Sequence, residues 1–228
     1  MPKDSFTEPT TEYWQTILPD TEIIPAPWKY GFPARLPDQR ILKLPIRALN
    51  ANEAVASLII NQAALDVTEE LGEFLVDQVR PFHPEVIVGL PTLGLSLAPI
   101  IAKGLGHKRY VPLGYSRKFW YTDLLSTEVS SITSPSGEKK LYLDPNQISL
   151  LKGKKVMIID DAVSSGKTLK ASWDFLEAVG CEVIGCGVVM NQGARWRIRL
   201  GTEGAENVRW VFKCPLLKRV EGGWDIRE

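Results

Sequence analysis

Histidine and cysteine are scarce: two of the first and three of the second in 228 residues. Cys181 and Cys186 stand five apart and Cys214 is alone, so no second pair completes a tetrahedral zinc set. An odd, sparse cysteine count also offers no disulfide framework and predicts a reduced, intracellular protein. His83 and His107 have no metal-like spacing and are assigned no chemistry. There is no charge excess, with 27 Lys+Arg against 27 Asp+Glu. Without a basic field, neither nucleic acid nor a membrane surface is an expected partner. A zero sum still leaves room for a local anion site. Long apolar runs are missing too. The longest uncharged stretch, 86–102, contains Gly89, Pro91, Gly94 and Pro99 and falls short of the ~20 residues that span a bilayer. The opening MPKDSFTEPTTEYW has no apolar core and is not read as a secretory leader, so a cytoplasmic location is expected.

What is present reads as an ordinary globule, 44% hydrophobic and 24% charged. Residues 1–50 are proline-dense (Pro2, Pro9, Pro19, Pro25, Pro27, Pro33, Pro37 and Pro45). Proline fixes φ and removes a donor, so this segment is expected to be an irregular cap, with extended pieces at 21–24 and 40–46. A core is expected over 51–204, and a last strand with a tail over 205–228. Residues 55–60 read as a strand. Asp66 and Glu69 have capping-box spacing ahead of the helical pattern Val67, Leu71, Phe74, Leu75, which Pro81 and Pro84 end. Further strands are predicted at 86–88, 110–113, 155–159, 183–190 and 208–212, and helices at 95–105 and 168–179. Residues 114–140 lose periodicity and gather Ser116, Ser126, Ser130, Ser131, Ser134, Pro135, Ser136 and Gly137, the composition of a functional loop. Strands alternating with helices imply an α/β fold, a mainly parallel sheet with helices on both faces.

The informative segment is 156–168. Val156-Met157-Ile158-Ile159 makes a buried strand, and Asp160 and Asp161 follow at its carboxyl end, where open α/β sheets bind ligands. A short turn and a helix come next, with Ala162, Val163, Ser164, Ser165, Gly166, Lys167 and Thr168. Amides at such a helix start favour an anion, and the hydroxyls add donors. Two acids beside a phosphate cradle suit vicinal hydroxyls, so the pattern describes a ribose 5-phosphate site. Gly166-Lys167-Thr168 also matches the end of a Walker A loop. That loop needs glycine at 161, where Asp161 would repel a triphosphate.

This stretch resembles the phosphoribosyl pyrophosphate (PRPP) signature of type I phosphoribosyltransferases, and the resemblance extends over roughly 55–190. Ile59-Ile60-Asn61-Gln62 and the helix after it are similar to the same region of bacterial xanthine enzymes. Val88-Gly89-Leu90-Pro91-Thr92-Leu93-Gly94 resembles the pyrophosphate loop. Tyr115-Ser116-Arg117-Lys118 resembles the start of the flexible catalytic loop of adenine and xanthine enzymes. The resemblance implies a type I core with a small hood over the base, drawn from 1–50 and the tail. It implies transfer of phosphoribose from PRPP to a purine, Mg²⁺ bound with PRPP, and a homodimer. Asp160 and Asp161 would hold the ribose hydroxyls, directly or through the metal shell. Residues 162–168 would cradle the 5-phosphate. Leu90, Pro91, Thr92, Leu93 and Gly94 would receive the pyrophosphate, with a cis Pro91–Thr92 peptide. Arg117 and Lys118 would close over the leaving group. Asn61, Gln192 and Trp224 are the candidates for the base. Leu93 stands where many relatives have arginine and Lys167 where the signature has glycine, so Lys167 is expected to supply the missing cation. Two other readings stay open: another acceptor such as a pyrimidine, and a regulator that binds PRPP without turning it over.

Overall fold

The computed structural model describes residues 8, 10–129 and 139–227. The first strands are β1 (Ile17–Leu18), β2 (Gly31–Arg35), β3 (Ile41–Ala48) and β4 (Glu53–Ala56). Then come helix α1 (Leu65–Val79), β5 (Val86–Gly89), α2 (Gly94–Gly104), β6 (Val111–Pro112), β7 (Ser126–Val129) and β8 (Lys139–Tyr142). The second half holds α3 (Ile148–Leu151), β9 (Lys155–Val163), α4 (Lys167–Val179), β10 (Glu182–Gln192), α5 (Arg195–Glu206), β11 (Val208–Cys214), β12 (Leu216–Val220) and β13 (Gly223–Ile226).

The parallel sheet has the order β11-β10-β9-β5-β6. Its central strand is apolar at consecutive positions because it is buried on both faces. Met157 and Ile159 pack with α1 and α2, whereas Val156 and Ile158 pack with α4 and the start of α5. That alternation follows from the two-residue period of a strand. This is the α/β architecture expected from the sequence. No helix among the described residues is long and apolar enough to cross a membrane.

Six other strands form an antiparallel sheet, β1-β3-β4-β12-β13, with β2 pairing on β3. It draws on both ends of the described chain, and Trp28 and Trp224 exchange backbone hydrogen bonds of 2.8 and 2.7 Å across it. β4 lies beyond residue 50 but belongs to this sheet, and β11 lies beyond 205 but completes the parallel one. An extended piece at 21–24 is not found: a 3₁₀ turn occupies Asp20–Glu22.

Local corrections have local causes. Asp66 and Glu69 form no capping box, because α1 starts at Leu65 and its cap residue is Ala64, with no side-chain cap bond. Thr68 Oγ1 instead donates to the Ala64 carbonyl at 3.1 Å. The 114–140 stretch is not all loop: β7 lies inside it and pairs antiparallel with β8, which begins at its end, their alternation obscured by Ser, Thr and Lys. Ser130, Ser131, Ser134, Pro135, Ser136 and Gly137, like Pro2 and Pro9 in the cap, lie outside the described residues. The three cysteines are free and buried. Burial pushes the Cys181 thiol up to about 11 and Cys214 up to about 12, so both stay protonated.

Candidate active site

β5 and β9 are neighbours in the parallel sheet, but their chains leave in opposite directions. After β5 the chain crosses by α2 on one face to β6; after β9 it crosses by α4 on the other face to β10. That divergence makes a topological switch point, the place where open α/β sheets form a crevice. The register brings two of the sequence-predicted loops to it. β5 ends at Gly89 opposite Ile159, and β9 runs on alone on that side through Asp160 and Asp161.

The acid pair is partly buried and tightly spaced. The Asp161 backbone N–H donates to Asp160 Oδ1 at 2.9 Å. Burial, and then the neighbouring Asp161 charge, push the Asp160 carboxyl well above the usual range. Burial pushes Asp161 up to about 6. Two adjacent carboxyls held at a cost in solvation need hydroxyl or cation partners to stay ionised. Tyr115 is half-buried nearby, and burial followed by the charges of both acids raises its hydroxyl pKa, so it stays a neutral donor.

Past the acids, Ala162 and Val163 are still strand, registered against Met190 and Asn191, and Val163 is a core side chain. The turn proper is Ser164 to Gly166, and α4 starts at Lys167. Gly166 has φ +74°, and a Cβ there would lie 3.0 Å from Trp196 Cα. Both favour glycine, since positive φ is costly for other residues and the Cβ contact would be tight. The expected 162–168 cradle therefore narrows to 164–168. Lys167 is exposed at the start of α4, and its N–H reaches Ser165 Oγ at 3.4 Å.

The expected pyrophosphate loop also narrows. The Leu90 side chain is in the core and its N–H donates to the Ile159 carbonyl at 2.9 Å. Pro91 has no N–H. Donors are left to Thr92, Leu93 and the first turn of α2. The Pro91–Thr92 peptide is cis, as expected. Leu93 takes the cap position of α2 and packs against the core, so its side chain does structural work.

Other predicted residues are placed differently. Arg117 pairs with Asp123 of its own loop at 3.2 Å, with both side chains more than half exposed. Lys118 Nζ lies 3.5 Å from Ser116 Oγ. Neither is directed at the acid pair here, because the loop's own acid and hydroxyl satisfy them. Asn61 is exposed on the 3₁₀ turn Ile60–Gln62. Gln192 is buried and Nε2 donates to the Ala56 carbonyl at 2.9 Å. Its donor thus ties the parallel sheet to β4 instead of pointing at an open site. Gln192→Leu should leave that carbonyl unpaired and lower stability by about 1–3 kcal/mol, seen as a lower urea midpoint with an unchanged slope. Trp224 is 5% exposed, with the Arg219 guanidinium 5.0 Å from its ring centroid. It pins the tail and offers no open face for a base, which corrects the stacking expectation.

The arginines around 195–209 could not be sorted by sequence alone between interface and phosphate. Arg197 lies over the rings of Trp196 and Trp210, and Arg209 over Phe82. Arg199 instead reaches the turn, its Nε donating to the Ser165 carbonyl at 3.2 Å. Trp196, fully buried, donates to Asn191 Oδ1 at 2.8 Å and so seats α5 behind Gly166. The sequence signal for this support was weak, because α5 was not predicted.

Fold and site together define a class: α/β proteins that place an acid pair and a Ser/Gly turn leading into a helix at a sheet switch point. The chain belongs to the phosphoribosyl transferase domain family, whose model matches residues 54–217. It is 32% identical over 116 residues to a hypoxanthine/guanine phosphoribosyltransferase of Methanothrix soehngenii, covering 50% of this chain and 54% of that protein. It is 29% identical over 116 residues to an adenine phosphoribosyltransferase of Oenococcus oeni, covering 50% and 61%. The chain thus spans little more than half the length of these curated relatives. An adenine phosphoribosyltransferase structure from Thermoanaerobacter pseudethanolicus superposes with TM-score 0.55 at 21% identity, over 65% of this chain and 81% of that one. That likeness is one of fold, and the fold is the type I phosphoribosyltransferase fold expected from the signature.

Proposed function

We propose that this protein moves the 5-phosphoribosyl group of PRPP to a purine nucleobase and releases pyrophosphate. The observation that carries the reading is the acid pair followed at once by the Ser164–Thr168 turn at the switch point. Curated relatives named for adenine and for hypoxanthine/guanine support a purine acceptor. A base nitrogen forms its bond to ribose C1 as the C1–O bond to pyrophosphate breaks, and the nitrogen's proton leaves to solvent or to the pyrophosphate. The transition state gains positive charge on the sugar, so positioning and charge placement dominate.

Asp160 and Asp161 accept from the ribose hydroxyls. Amides and hydroxyls of 164–168, with the Lys167 ammonium, hold the 5-phosphate. Thr92, Leu93 and Gly94 face the pyrophosphate. Arg117 and Lys118 reach the leaving group only when the loop moves and Arg117 gives up Asp123. Asn61, and the free Oε1 of Gln192, remain for the base.

Among the described residues no cluster of three or more His, Cys, Asp or Glu makes a metal cage. Mg²⁺ binds readily through one or two carboxylates, water and substrate phosphates. The two-acid donor set therefore fits a metal brought in with PRPP, held by Asp160 and Asp161 through water or the ribose hydroxyls. Such an ion neutralises phosphate charge. A cytoplasmic homodimer completes the reading.

The test is pyrophosphate release from PRPP and Mg²⁺ against a panel of purines and pyrimidines. Release with a purine supports the proposal. Release only with a pyrimidine, or PRPP binding with no release for any base, overturns it in favour of another acceptor or a regulator. Arg199 adds a sharper expectation. Its guanidinium borders the turn, so Arg199→Ala should raise the KM for PRPP by about tenfold, the size of one charge-assisted hydrogen bond. kcat should change little, and Arg199→Lys should recover part of the loss.

A further inference from the structure

At the opposite end of the parallel sheet from the acid pair lies an open cleft of about 270 Å³. It forms where three chain reversals meet. After α2 the chain turns at Gly106, φ +84°, and runs through His107, Lys108 and Arg109 into β6. Gly153, φ +72°, makes the turn that sets Lys154 before β9. The third wall is α3, with Ser149 and Leu150.

The charge of the cleft is one-sided. Glu85 is its one acid, and Glu85 is already committed. It accepts from Lys154 Nζ at 2.8 Å and from the Lys155 N–H at 3.0 Å. Those bonds hold its carboxyl below the usual range. Lys108 and Arg109 have no ion-pair partner among the described residues. Two uncompensated cations therefore line a concave site whose floor, Val86 and Val111, is apolar. Cations around a concavity concentrate anions, and guanidinium matches phosphate oxygens in geometry. The volume is near the lower end of small-molecule sites, which run from ~300 Å³. It exceeds what a bare oxyanion fills.

We propose that this cleft is a second binding site, for a phosphomonoester of small-metabolite size. Arg109 and Lys108 take the phosphate, Ser149 adds a hydroxyl, and the valine floor takes the carbon skeleton. The site shares no residue with the acid pair or its loops, so the proposal does not rest on the function proposed above.

The test is site-resolved. Amide resonances of the full chain are followed by NMR during titration with AMP, with inorganic phosphate, with adenosine, and with sodium chloride at matched ionic strength. The expected result is saturable shifts at 107–111 and 149–151 with AMP and phosphate, and none there with adenosine. Lys108→Glu with Arg109→Glu should weaken those shifts by at least about tenfold, while the ligand-free amide spectrum away from 107–111 stays that of the parent and shows the variant folded. Shifts confined to 164–168 overturn the proposal, and so do equal shifts with chloride. Failure of the transferase reading would instead appear as silence at 164–168.

Discussion

Replacing Asp160 and Asp161 by asparagine should cut pyrophosphate release by at least about 10²-fold and, in metal-free buffer, raise the melting temperature. The two effects share one cause. Burial raises both carboxyl pKa values, with Asp161 at about 6 against an ordinary 3.8. Between those values the folded protein holds a proton that the unfolded chain has lost. Stability therefore falls as pH rises through that window, and the full penalty applies above it. For Asp161 the penalty is about 1–3 kcal/mol after allowing for partial solvation. Asparagine keeps the shape and removes the charge, so it recovers much of this, at roughly 2–4 °C per kcal/mol for a chain this size. Calorimetry in EDTA at pH 5 and pH 8 checks the sign. A variant less stable than the parent at pH 8 would show that the pair is satisfied in the folded state.

The second large effect is expected at Gly94. A Cβ there would lie 2.5 Å from the Ile159 carbonyl oxygen and 2.9 Å from Asp160 Cα. Both are backbone atoms of the central strand, so no side chain can swing away. Gly94→Ala must lift the start of α2 off β9 and carry Thr92 and Leu93 with it. Overpacking of this kind costs about 1–3 kcal/mol, and displacing a substrate-facing loop by an ångström can cost ~10²-fold in rate. Gly114→Ala is the control, because nothing lies within 4 Å of its Cβ position. It should stay within about 0.5 kcal/mol of the parent. Parental rate and melting temperature in Gly94→Ala would mean that the helix start is not fixed by this contact.

The parallel sheet and acid pair were legible in sequence for a physical reason. Strands buried on both faces are continuous apolar runs, so Val156–Ile159 ends visibly where Asp160 begins. The antiparallel sheet was not legible as a whole. Its strands β12 and β13 contain Lys218, Arg219 and Asp225 beside Leu217 and Trp224, and their partner β4 is far away in sequence. Helix α5 was hidden by its low apolar content, five arginine or glutamate positions, and a non-helical Gly201 in its middle. Site roles divided the same way. Residues whose geometry is local, such as the Gly166 turn, were legible directly. The structural ties of Gln192 and Trp224 were not legible because their partners, Ala56 and Trp28, are distant in sequence.

The tail strands protect the protein against itself. β4 would be a bare, half-buried edge if β12 did not pair with it, and Trp28 would present an open backbone if Trp224 were gone. Unpaired edges of that kind template strand addition between molecules. Proteolytic trimming after Cys214 would leave the parallel sheet its full set of strands and remove this guard. The clipped protein would expose that edge together with the core that Leu217 and Trp224 cover, and self-association would follow.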